Sequence, residues 1–168
     1  GRERLKIKGL DEGVQALAET LLDGIEANVA SGYHAIEFLL WGQALNGTGP
    51  GAGARPATDY TTAEHADRRA AYLQAATDLL VADLTEMTAN WDANGPARSA
   101  VTADPQAGLL AMLTGMGSLS YGELAGERIK LGLMLNDPEE EHDCFSDNTH
   151  NSHFYDGLGI RNVYLGTY

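Results

Sequence analysis

Apolar positions recur at helical spacing along most of the chain. Val14, Leu17, Leu21 and Leu22 predict an amphipathic helix over residues 11–23, which Gly24 interrupts. A second helix is predicted over 26–43. Val29, Tyr33, Ile36, Phe38, Leu39, Leu40 and Trp41 put apolar groups on more than one of its faces, the pattern of a deeply buried helix. Residues 44–60 show no period and are punctuated by Asn46-Gly47, Gly49-Pro50-Gly51 and Gly53, so they read as a loop. Thr61-Thr62-Ala63-Glu64 has the form of a capping box, opening a long helix to about residue 91 that Asn94-Gly95-Pro96 ends. Asp104 as N-cap and Pro105 at the first helical position start another, running to about residue 135 and closed by Asp137-Pro138. Gly108, Gly115, Gly122, Gly126 and Gly132 lie along it. Glycine weakens helices, so the expected reason for them is close approach of a neighbouring backbone, with a hinge as second reading. Residues 144–153 read as a polar loop, and 154–168 as part helix broken by Gly157 and Gly159. No strand pattern appears. The expected fold is all-α, a helical bundle with long loops collected at its ends.

Composition narrows the partners. Eleven Lys and Arg against 24 Asp and Glu give a formal net charge of -13 in 168 residues, one domain or a large part of two small ones. That balance repels phosphate backbones and anionic membranes, so nucleic acid is not an expected partner; it suits a cation ligand, or plain solubility. The one cysteine, Cys144, cannot form an internal disulfide, leaving it a ligand, a buried thiol or the partner of a cysteine elsewhere. The uncharged stretch 105–122 has the length of a membrane span, but Gln106, its glycines and serines, and Glu123 and Glu127 just beyond argue against one. The chain opens Gly1-Arg2-Glu3-Arg4, without Met or an apolar signal region, as expected of a processed chain or a portion of a longer protein.

Two groups of residues carry candidate chemistry. In Gly32-Tyr33-His34-Ala35-Ile36-Glu37, His34 and Glu37 are three apart and share a helix face. Imidazole nitrogen with carboxylate oxygen suits zinc, iron or manganese, and further ligands must come from elsewhere in the fold. Gly32 would let another segment approach, and Trp41 could wall the pair from water. The bland alternative is a core histidine hydrogen-bonded to a neighbouring carboxylate. The second group runs from His142 to His153 and holds three of the five histidines, with Asp143, Cys144, Ser146, Asp147, Thr149 and His150. Its spacing matches no standard zinc ribbon or finger, and Ser146, Asp147 and Thr149 could simply cap the final helix. His65 reads as a solvated helix start. Arg161 could clamp a carboxylate or pair structurally. Glu123 and Glu127 could complete a metal site or serve as a base if they share a buried face. No phosphate loop, His-Glu-x-x-His helix or Gly-x-Ser-x-Gly elbow is present.

The run Ala27–Gln43, with Gly32, His34 and Glu37 in the register Gly-x-His-x-x-Glu, closely resembles the imelysin family. So do Leu45–Gly53 with Arg55-Pro56, Gly115–Leu119, Gly122–Arg128, Glu141–His150 and Gly159–Gly166. The resemblance implies a bacterial envelope protein, periplasmic or anchored at the outer membrane, built from two related helical bundles with its characteristic groups in a cleft between them. It implies a metal-peptidase classification together with a link to iron uptake, hence a transition metal, iron or zinc, on His34 and Glu37. Iron-uptake components or a small ligand would be partners. Gly32, Glu123, Arg128, His142, Ser146, Asp147, His150 and Arg161 are the cleft candidates, and Glu127 is the candidate base. Members are longer, so residues 1–168 are read as the central part of the fold. Residues 1–60 surround the Gly-x-His-x-x-Glu helix and its loop, and 61–168 form a portion of a second bundle. The leading expectation is a metal-binding protein of iron acquisition; a peptidase and a metal-free helical scaffold are the alternatives.

Overall fold

The computed structural model describes residues 30–167, and every regular element among them is helical. The expected helix over 11–23 and the start of the one over 26–43 lie outside the described residues. In chain order come α1 (Tyr33–Trp41), a 3-10 turn (Ala57–Tyr60), α2 (Ala66–Trp91), α3 (Pro96–Ala103) and α4 (Pro105–Gly117). A π-helical segment (Ser118–Lys130), α5 (Leu131–Leu135), a 3-10 turn (Pro138–Glu140) and α6 (Thr149–Leu165) follow. The described residues divide into two compact units, 30–43 with 54–86 and 44–53 with 87–167.

In the first unit, α1 is held by its C-terminal end. The last carbonyls of a helix have no partner within it. Here the Gly42 N–H donates to Phe38 O at 2.8 Å, Arg55 N–H to Trp41 O at 2.9 Å, and the Tyr60 hydroxyl to Leu39 O. The Arg55 guanidinium adds a bond to Phe38 O at 3.1 Å, lies 5.2 Å from the Phe38 ring centre and pairs with Asp59 at 2.9 Å. A cation at this end also answers the negative pole of the helix dipole. Gly42 makes the turn at φ 75°, a conformation glycine adopts without strain.

Two expectations fail in this unit. The face of α1 read as deeply buried is open among the described residues: Tyr33, Phe38, Leu40 and Trp41 are all exposed, and Leu39 and Glu37 are the buried positions. An apolar pattern states what a helix can bury, and the packed neighbours decide what it does bury. Nor does the capping box form. The Thr61 hydroxyl donates backward to Ala57 O at 3.2 Å, and α2 begins only at Ala66, after His65 at φ 60°. Arg69 fixes this entry by donating to Asp59 O at 2.9 Å and to Glu64 O.

From α2, Tyr72 donates its hydroxyl to Ala30 O, and burial raises its pKa above the usual 10.0. The unfolded chain therefore loses the phenolic proton at lower pH than the folded one. The stability this linkage contributes is complete below about pH 10 and is lost as pH rises through the folded value. Tyr72→Phe should cost about 1 kcal/mol at neutral pH for the lost hydrogen bond. It should also flatten the decline of the melting temperature above about pH 10, read by thermal melts across that range.

In the second unit, the Asp104 carboxylate accepts from the N–H groups of Gln106 (3.0 Å) and Ala107 (3.2 Å), with Pro105 at the first turn, as the sequence predicts. The helix expected over 105–135 is continuous but not uniform: its middle, Ser118–Lys130, widens to the π-helical turn. Glu123 and Arg128, five apart, are consequently paired at 3.6 Å. Asn136, at φ 51°, ends α5 and Asp137-Pro138 follow, as expected. The pattern missed α3. Gly157 and Gly159 do not break α6, which runs unbroken to a left-handed Gly166 and takes in residues 149–153 of the expected polar loop. The π segment and α4 pack against α6, and α3 against α4.

Gly115 and Gly122 have open space where a Cβ would stand, and Gly126 meets only the Tyr121 carbonyl of its own helix, so close packing explains none of the three among the described residues. Gly115→Ala and, in α6, Gly157→Ala should each raise stability by about 0.5–1 kcal/mol, because alanine removes glycine's entropic cost where nothing obstructs it. Chemical denaturation of the two variants checks this.

Candidate metal centre

Gly32, at φ 90° and ψ -169°, stands immediately before α1. A Cβ there would meet nothing within 4 Å among the described residues. Its glycine therefore serves the backbone angle, and the expected approach of a neighbouring segment is not what calls for it. From that turn α1 carries His34 and Glu37 on one face, with His34 Nδ1 3.0 Å from Glu37 Oε2. The histidine side chain is 43% exposed and the glutamate 9%. A carboxylate this far from water needs compensation, and the imidazole N–H supplies part of it.

Zinc holds imidazole nitrogen and carboxylate oxygen at about 2.0–2.2 Å in a tetrahedral shell, which sets two such donors about 3.4 Å apart. His34 Nδ1 and Glu37 Oε2 stand at 3.0 Å, a hydrogen-bond separation, so the pair must open by a few tenths of an ångström for both atoms to share one ion. Two donors do not close a coordination shell, and further ligands are required.

The second group belongs to the other unit. His142, Asp143, Cys144, Ser146 and Asp147 are all half-buried. They form a laced turn leading into α6: Asp143 N–H donates to Thr149 Oγ1 at 3.1 Å, the Ser152 hydroxyl donates to the Asp143 carboxylate, and Asp147 takes φ 55°. The residue before α6 is Asn148, which makes no side-chain cap. Asp147 instead accepts from Gly51 N–H at 2.9 Å, and Phe145 O accepts from Gly53 N–H at 2.8 Å. These bonds pin the loop 44–53 onto the turn. The His142 and His153 rings meet edge-on, centres 6.4 Å apart.

The other candidates are more open. Glu123 and Glu127 are exposed, so they share no buried face, while Arg128 is half-buried. His150 and Arg161 are exposed on α6, and His65 is exposed beside Glu64 at 3.3 Å. Arg128 and His150 line one cavity of the second unit, with Asp147, Glu141 and His153. Arg55, legible only inside the family run, escaped the sequence reading of the site, whereas His153 belongs to the histidine group that reading singles out.

A search of curated proteins finds no match to this chain. The model of one protein family, described as imelysin and designated peptidase M75, matches residues 5–168. With nearly the whole length matched, only helical elements among the described residues, and Gly32 leading into the helix that carries His34 and Glu37, the chain belongs to the imelysin family.

Proposed function

We propose that this protein binds a transition metal, iron or zinc, through His34 and Glu37, and serves iron acquisition in the bacterial envelope. The observation that carries the metal reading is the 3.0 Å approach of His34 Nδ1 to a buried Glu37 carboxylate at the start of a firmly anchored helix. The net charge of -13 favours a cation as cargo. No helix among the described residues is long and apolar enough to cross a membrane. The envelope location and the iron-uptake partners rest on the family resemblance.

A second reading is supported by the family's peptidase designation. A bound metal would polarise water for hydrolysis, and Glu127 is the candidate base. Its exposure on the π segment gives that role no buried setting. Elemental analysis of protein purified without chelators, followed by calorimetric titration of the stripped protein with ferrous, ferric and zinc ions, tests the metal reading. Binding is expected at neutral pH and should weaken on acidification, which protonates imidazole ligands. Absence of binding by all three ions between about pH 5 and 8 overturns it.

A further inference from the structure

The cavity that Arg128 and His153 line lies wholly within the second unit and measures about 590 Å³, inside the range of small-molecule sites. Arg128 comes from the π segment and His153 from α6, while Glu141 stands on the connection between α5 and α6. Ile129 and Leu133 give the lining an apolar part.

Two of its nitrogens lack a partner: Arg128 Nε needs an acceptor, and His153 Nε2 donates to one when it carries the ring proton. Arg128 Nε and His153 Nε2 are shielded from solvent and have no hydrogen-bond partner among the described residues. An arginine Nε is a donor only and keeps its proton at any ordinary pH, so burying it without an acceptor is costly. The neighbouring Glu123 oxygen is 3.6 Å from Arg128 Nη2, an ion pair too long for a hydrogen bond. The planar edge of a guanidinium matches a carboxylate. A plain anion would also face Glu141 and Asp137, and a plain cation would face Arg128. A molecule bearing both charges satisfies both sets.

We propose that this cavity binds a small zwitterion with an apolar side chain, a free amino acid or a short peptide. Its carboxylate lies at Arg128 and His153, its ammonium at Glu141, and its side chain on Ile129 and Leu133. His34 and Glu37 are not among the lining residues, and the recognition needs no metal.

Calorimetric titration of the whole chain with leucyl-leucine, its N-acetyl form and its C-terminal amide tests this. The free dipeptide should bind at least about tenfold more tightly than either blocked form. Glu141→Gln, at an exposed position, should lower the dipeptide to the affinity of the acetylated form, and Arg128→Gln to that of the amide. If circular dichroism shows that Arg128→Gln unfolds, Arg128→Lys keeps the charge, loses the planar edge and should still weaken the free dipeptide relative to the amide. His34→Ala should leave dipeptide binding unchanged. Equal affinity for the three ligands, no binding of the dipeptide, or a loss caused by His34→Ala overturns the proposal.

Discussion

Replacing His34 by Ala is expected to abolish high-affinity binding of iron or zinc while leaving the helical circular dichroism intact. The imidazole is a neutral donor that no other side chain of α1 can replace, and it is open enough that its removal leaves no large cavity. Glu37→Gln keeps the volume of the buried side chain but removes the charge that a cation needs opposite it. It should weaken metal binding by at least about 10-fold, because changing a group that only orients a ligand already costs about 10–100-fold. A purely structural pair behaves differently. Removing His34 would take a hydrogen-bond partner from the buried Glu37 carboxylate and lower stability by about 1–3 kcal/mol, with metal affinity unmoved. Titration and thermal melts on the same two variants separate the cases: large melting losses together with wild-type metal binding would sink the ligand assignment.

Gly108→Ala should destabilise the second unit by about 1–3 kcal/mol, lowering the melting temperature by several degrees. Gly108 is buried, and a Cβ on it would fall 2.1 Å from the Val101 carbonyl oxygen, a backbone atom of α3 with little room to retreat. Its own N–H is committed to Asp104 O at 2.8 Å, so α4 cannot readily turn to relieve the clash. A melting temperature equal to that of the unsubstituted protein would show that the two helices part without cost. Of the five glycines along this helical stretch, Gly108 is the one where close packing explains the residue.

That contrast indicates what a sequence can disclose. Asp104-Pro105 announced a helix start correctly because the cap is local: the carboxylate reaches N–H groups two and three residues ahead whatever surrounds it. His34 and Glu37 were legible for the same reason, three residues apart on one helix. Thr61 misled because its hydroxyl had two local choices and took the carbonyl of Ala57 behind it. The π-helical segment left no mark in the apolar pattern. The cavity was illegible because Arg128 and His153 come together only through the packing of α6 on the π segment. Burial was legible least of all. Tyr33, Phe38, Leu40 and Trp41 were read as interior from their chemistry, and only the arrangement of other elements decides exposure.

The bond from Gly51 N–H to Asp147 spans 96 residues of sequence. A ribosome adding about 5–20 residues per second needs roughly 5–20 seconds to cover that interval. Through that time the glycine-rich loop has left the ribosome while the carboxylate that anchors it does not yet exist. The carbonyl of Phe145, which takes the Gly53 N–H, is equally late. On a nascent chain α1 can therefore complete its own end first, using Arg55 and Tyr60 from the next twenty residues. The 44–53 segment becomes fixed only when the turn before α6 emerges, which makes its anchoring one of the closing events of synthesis.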